Sequence, residues 1–289
     1  MPFTIAEAQV TIVGLGLMGG SLAAALSAAG TCREVVGVAR RRSTLATAQE
    51  LRFIRKGTMD LQEGVRDADI VILATPVQDI LVRISNIGSM LKPGCMLMDI
   101  GSTKRAICQA MESLPTHIQP LGGHPMCGKE TSGLTMAEPD LFRDKVFVLS
   151  PLPRTTQDAL DLGQELVHSI GARPLILDAE RHDRLVAMTS HLPYMLAVAL
   201  VKAAETLTQD DPLVWKLAAS GFRDTSRLAG GDITMMLDIV TTNRDQILKA
   251  LRQAQTELST LARCLEEGDL SALERTLTTA RNRRLEVYR

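Results

Sequence analysis

The sequence predicts an α/β fold: a doubly wound parallel sheet in the N-terminal half, followed by an all-helical C-terminal domain. Three observations predict it. Short, continuously apolar runs alternate with helical patterns up to about residue 177. A G-x-G-x-x-G spacing directly follows the first of these runs, and no strand pattern recurs after about Asp178. At 289 residues the chain is long for one core, so two domains are expected, 1–177 and 178–289.

The elements follow in order. Gln9–Val13 is a short β-branched strand, and Leu17–Ala29, after the glycines, reads as helix. Glu34–Val38 is a second strand and 43–51 a second helix. Runs at 70–74, 95–100 and 146–149 are too short for buried helices and are bounded by turn residues. Helical patterns at 77–91, 103–113 and 155–169 sit between or after them, with a last strand at 173–177. Beyond it, Ile247, Leu251, Ala254, Leu258, Leu261 and Leu265 repeat in 4-3-4-3-4 steps, an a/d seam. That seam suits packing within the chain or against a second copy. Gly268 ends its helix, and Ser271 with Glu274 offers a capping box for the next.

Composition narrows the function. With 45% hydrophobic residues, 22% charged and a formal net charge of −1, nothing draws the whole chain to nucleic acid or an anionic membrane. Aromatics at 3% leave little for stacking single-stranded bases. Cys32, Cys95, Cys108, Cys127 and Cys264 form no CxxC pair, which suits a reduced, cytoplasmic protein with no metal knuckle. The uncharged run from Ala8 to Cys32 lacks the positive flank of a signal peptide, and its five glycines do not suit a membrane helix.

Residues 14–19 read GLGLMG. Gly14 allows a tight turn, Gly16 lets a pyrophosphate approach the backbone, and Gly19 permits close helix–strand packing. Leu17 and Met18 open the helix whose unpaired N–H groups favour an anion. This is the Rossmann-type context for a dinucleotide. The second strand should then end on an acid for the ribose hydroxyls of NAD, yet GVARRRST (37–44) has none. Arg40 and Arg41 instead suit a 2′-phosphate, with Ser43 and Thr44 as donors at the next helix N-terminus. NADP is therefore the expected cofactor, with NAD the weaker alternative.

Further motifs carry chemistry. DIGSTK (99–104) follows a strand end, so Ser102 can face a ligand or cap the next helix. GGHPMCGKE (122–130) holds His124 in a glycine-flanked turn, whereas His117 and His168 sit in ordinary strand and helix contexts. His182 and His191 are nine apart, on opposite faces of one helix, and so are no metal pair; Pro193 should kink that helix. In GFRDTSRLA (221–229), Arg223 and Arg227 share a face, with Asp224 placed to pair with Arg227. They suit either a surface ion pair or a carboxylate ligand.

Taken together, GLGLMGGS, ATP (74–76), DIGSTK, GGHPMCGKE, SHLP and GFRDTSR resemble, in order, the motifs of prephenate and arogenate dehydrogenases, from about residue 9 to at least 230. The resemblance implies oxidative decarboxylation of a cyclohexadiene on the way to tyrosine. It implies a homodimer formed through the helical domain. The extent of the chain leads to the expectation of no fused regulatory domain and no N-terminal mutase domain. The resemblance assigns His124 as the catalytic group, Ser102 as orienting the substrate hydroxyl, and His191 to the site. Arg227 binds the substrate carboxylate, and Thr75 and Pro76 lie at the cofactor. Glu130 either meets a substrate amine or orients His191. An ordinary imidazole, with a pKa of about 6.5, can accept the hydroxyl proton near neutral pH. Prephenate and arogenate differ in one keto or amino group, and the motifs accommodate both. The alternative within the fold, a β-hydroxyacid dehydrogenase or imine reductase, needs a catalytic lysine, for which only Lys202 is available in that region.

Overall fold

Continuously apolar strands need cover on both faces, and the computed structural model supplies it. The structure describes residues 4–129 and 131–288. Strands β1 (Gln9–Val13), β2 (Glu34–Val38), β3 (Lys56–Thr58), β4 (Ile70–Leu73), β5 (Met96–Asp99), β6 (Gln119–Pro125), β7 (Val146–Pro151) and β8 (Arg173–Ile176) form one sheet. Its order is β3-β2-β1-β4-β5-β6-β7-β8. All pairs are parallel except β6–β7, so the sheet is mixed rather than wholly parallel.

Helices α1 (Leu17–Ala29), α2 (Arg42–Glu50), α3 (Leu61–Val65), α4 (Val77–Ile87), α5 (Arg105–Met111) and α6 (Gln157–Ser169) cover it. One core packs Val10, Ile12, Leu22 and Leu26 with Phe147 and Leu166; the other packs Val71, Leu73, Ile80, Ile84 and Ile107 with Met111. Two strands escape the apolar-run criterion. β3 is short and mostly exposed, and β6 is QPLGGHP, rich in Gly and Pro. Strand β6 forms because it is held on both sides, by β5 and by the antiparallel β7. His124 therefore sits on a strand, not in a turn, and His117 lies in the turn before it.

The C-terminal part is helical: α7 (Ala179–Val186), α8 (Leu192–Leu207), α9 (Val214–Leu217), α10 (Ser220–Ser226), α11 (Ile233–Thr242), α12 (Arg244–Glu266) and α13 (Leu270–Val287). Asp178 caps α7 by accepting from Arg181 N at 2.8 Å. Between α7 and α8 the chain runs as a π-helix over Ala187–His191. Pro193 lacks an N–H and would crowd the carbonyl four residues back, and a widened turn ahead of it relieves both. Gly268 (φ +66) ends α12 in the left-handed conformation. The cap of α13 is Asp269, which accepts from Ala272 N at 2.9 Å, so the expected Ser271–Glu274 box falls two residues late.

The helical part folds back on the sheet domain. Asp238 of α11 accepts from Gln78 N at 3.0 Å at the start of α4. Arg105 holds Asp245 with both terminal guanidinium nitrogens, one at 2.8 Å. Thr103 meets Thr242 at 2.8 Å.

Candidate active site

Strand order reverses between β1 and β4, where an open α/β sheet forms its crevice. The glycine loop lies there. Gly14 has φ +101, and a Cβ on it would press on Ala74 O at 2.7 Å. A Cβ on Gly19 would stand 1.9 Å from Gly14 O, whereas one on Gly16 would meet nothing within 4 Å. The loop is thus tight where helix meets strand and open at the α1 N-terminus, where Leu17 and Met18 begin the helix. The buried Thr75 hydroxyl stands beside it, next to the Asp79 carboxylate, and Pro76 is the N-cap of α4. Room and the unpaired N–H groups of the helix start fit a dinucleotide.

The basic run lies at the end of β2. Arg40, Arg41 and Ser43 are exposed, Thr44 is half-buried, and Arg41 is the N-cap of α2 with no side-chain cap of its own. The Asp79 carboxyl, on α4, lies within electrostatic reach of Arg40. Burial raises the Asp79 carboxyl, but its bonds to Arg83 and Thr75 and the charges of Arg83 and Arg40 hold it below the usual range.

The second half of the site is a buried polar cluster drawn from four segments. Asp99 and Lys104 form an ion pair with no exposed surface. Asp99 also accepts from Gly101 N at 2.7 Å and Gly123 N at 3.2 Å, and Lys104 Nζ donates to Gly123 O at 2.6 Å. The pair therefore clamps the ends of β5 and β6, immediately before His124. Asp183, on α7, accepts from Lys104 N at 2.7 Å and Arg105 N at 3.0 Å, so it caps α5 from another element. Ser102 is half-buried and is not that cap; Lys104 is the N-cap residue.

His182 bridges the two. Its Nδ1 lies 2.8 Å from Asp183 Oδ1, and its Nε2 lies 2.8 Å from His124 Nδ1. A carboxylate only accepts, so Nδ1 of a neutral His182 carries the proton and its Nε2 is a lone pair. His124 then donates through Nδ1, which leaves its Nε2 as an acceptor. Burial pushes His124 well below the ordinary histidine pKa, and the Lys104 charge and any proton taken up by His182 or His191 push the same way. It is a neutral base at neutral pH, lower in pKa than the free imidazole of the sequence reading.

His191 is 2% exposed and titrates near 4, lowered by burial and by His182 against the pull of Asp183. In an α-helix of about 100° per residue, nine residues place it about half a turn from His182. The five-residue π-helix removes part of that rotation, so both histidines reach the buried cluster rather than opposite faces. Among the described residues, no three His, Cys, Asp or Glu side chains gather into a metal-binding group.

Arg227 is not in this cluster. It begins an exposed 3-10 turn, Arg227–Gly230, that packs on α8. Asp224 pairs with Arg223 at 3.2 Å instead of with Arg227. Glu130 lies outside the described residues. The residues that sequence reading missed are Asp99, Lys104, His182, Asp183 and Asn243. The signals were present: DIGSTK carries both members of the buried pair, and ERHD places an acid beside a histidine.

Comparison with known proteins agrees with this layout. Family models match residues 22–176, as the prephenate dehydrogenase nucleotide-binding domain, and 178–279, as the prephenate dehydrogenase dimerization domain. The chain is 33% identical to prephenate dehydrogenase of Lactococcus lactis, over 92% of this chain and 73% of that protein. The structure of Synechocystis arogenate dehydrogenase superposes with a TM-score of 0.83 at 32% identity, covering 96% of this chain and 98% of that one. That of A. aeolicus prephenate dehydrogenase, in complex with hydroxyphenyl propionate and NAD+, gives 0.90 at 27% identity, covering 99% and 100%.

Proposed function

The chain belongs to the prephenate dehydrogenase family, and on that premise we propose how its own residues divide the family's reaction. It is a pyridine-nucleotide-dependent oxidoreductase of tyrosine biosynthesis, carrying out an oxidative decarboxylation of prephenate or arogenate. The observation that carries the proposal is the Asp183–His182–His124 chain, which leaves His124 Nε2 as an acceptor at the end of β6. His124 takes the proton of the ring hydroxyl, and Ser102 orients that hydroxyl. Arg227 anchors a substrate carboxylate, and Glu130 either meets a substrate amine or orients His191. A nicotinamide supplies the hydride acceptor. Its pyrophosphate is held by Gly14, Gly16, Leu17, Met18 and Gly19, with Thr75 and Pro76 lining the crevice.

NADP is the preferred cofactor in this reading. Exposed Arg40 and Arg41, with Ser43 and Thr44 in the first turn of α2, offer a phosphate site where NAD-binding chains place an acid. The division at 177/178 is supported by the end of β8 at Ile176 and the cap at Asp178. A homodimer is supported by the α12 seam. Ile247 is buried at its start, whereas Leu258 and Leu265 are 58% and 66% exposed. A cytoplasmic location suits five free cysteines. The run Ala179–Leu207 is long and apolar enough to cross a membrane by length and composition, yet its first turns carry His182 and Asp183 buried in polar contacts with the sheet domain. The lysine reading of the alternative class loses its support, because Lys202 is exposed and paired with Glu205.

The test is turnover by the purified protein with NADP or NAD and each of the two substrates. Reduced cofactor should appear with one carbon dioxide released per turnover. Absence of both products with either substrate would refute the reading.

A further inference from the structure

The α11–α12 corner holds a buried amide that the reaction, as derived above, does not use. Helix α11 ends at Thr242 and α12 begins at Arg244, so Asn243 alone makes the junction. Its backbone is committed to both helices: its N–H donates to Ile239 O at 2.9 Å, and its carbonyl accepts from Ile247 N at 3.1 Å. Its side chain is fully buried and faces the histidine cluster.

Two contacts fix what this amide can do. Nδ2 donates to the Asp183 carbonyl at 2.8 Å. The reverse orientation would set two oxygens against each other at that distance, so the nitrogen must face Asp183. The same Nδ2 lies 3.4 Å from His191 Nδ1. A donor can face a ring nitrogen only where that nitrogen holds a lone pair. A hydroxyl could turn and accept instead; an amide nitrogen cannot.

We propose that Asn243 is a positioning residue that fixes His191 as the neutral Nε2–H tautomer, so that His191 can only donate to a ligand while His124 can only accept. Burial of His191 supports the neutral form. The substrate then meets two imidazoles of opposite hydrogen-bonding character: one removes a proton, and the other donates to an oxygen lone pair. One amide coordinates both, because it binds the main chain of Asp183, whose carboxylate sets His182 and through it His124. The substrate part of the inference rests on the assignment of His191 to the site; the tautomer part does not.

The test is nitrogen NMR of the full-length protein labelled on its histidine rings, at neutral pH. His191→Gln and His124→Gln identify the two rings by loss of their signals. The wild type should show His191 protonated on Nε2 and bare on Nδ1, and His124 the reverse. Asn243→Asp places a carboxylate opposite His191 Nδ1, so that nitrogen should move to the protonated region. A wild-type His191 protonated on Nδ1, or on both nitrogens, would overturn the proposal, and that measurement needs no folded variant. An unchanged His191 in folded Asn243→Asp would overturn the role of Asn243. If the tautomers are as stated but His191→Gln turns over normally, the assignment of His191 to the reaction fails while the tautomer inference stands.

Discussion

The two halves of the crevice are built in opposite ways. At the β1–α1 turn the site consists of backbone and space: three glycines, the N–H groups of α1, and nothing that titrates. At the ends of β5 and β6 it consists of buried side chains already bonded to one another, with Asp99, Lys104, His182, Asp183 and Asn243 all at 0% exposure. A region that receives a ligand must leave donors unpaired and room beside them. A region that moves a proton must fix, before substrate arrives, which atom holds it. The glycine turn should fail chiefly on added volume, and the buried cluster chiefly on lost charge.

The largest effect should come from breaking the buried pair. Lys104→Met conserves bulk but strands Asp99, at a cost of about 3–5 kcal/mol in unfolding free energy. Burial already raises the Asp99 carboxyl, so without the cation it takes up a proton more readily, and the loss should shrink as pH falls. Adding Asp99→Asn should recover part of it. Denaturant titration at two pH values checks this, and unchanged stability would erase the contrast between the regions.

Next is the proposed phosphate site. Arg40→Ala with Arg41→Ala removes charge-assisted bonds worth about 1.5–3 kcal/mol, so kcat/KM for NADP should fall roughly 10–100-fold, with little change for NAD. A wild-type preference for NAD would end the NADP reading. Gly19→Ala adds only volume, but its Cβ would meet Gly14 O. It should cost about 1–3 kcal/mol and weaken cofactor binding by calorimetry, while the His124 cluster keeps its pH behaviour. The smallest effect lies outside both regions. Arg227→Lys should raise KM about tenfold with a smaller change in kcat, since lysine cannot form a bidentate pair. Arg223→Ala, the exposed neighbour, should change neither; equal small effects would return both to surface ion pairing.

The same contrast explains what the sequence reveals. The glycine loop is made of neighbours, so its spacing in 14–19 and the basic run at 40–42, with Ser43 and Thr44 behind it, are legible as strings. The strands and helices of the sheet domain are legible because each buries its own apolar residues. Strand β6 was not, because pairing on both sides, rather than composition, makes it a strand. The cluster joins residues 99–104, 123–124, 182–191 and 243, and no local pattern reports that Asp183 caps α5 or that Asn243 reaches Asp183. The nine-residue spacing of His182 and His191 misled for a physical reason: it assumed an unbroken α-helix, and a π-helix intervenes.

The central claim is that His124 is a neutral base held ready by His182 and Asp183. Only the neutral imidazole accepts a proton, so activity is lost as pH falls through its pKa. Because that pKa lies well below 6.5, kcat/KM, which reports the free enzyme, should hold through mildly acidic pH and fall only below the range of an ordinary histidine. His124→Asn should keep the fold and cofactor affinity, lower kcat by roughly 10²–10⁴-fold, and remove that acidic limb. Measuring kcat/KM against pH in the wild type and in His124→Asn decides it. A variant with near-normal turnover and the same acidic limb would contradict the account and move the base to another residue.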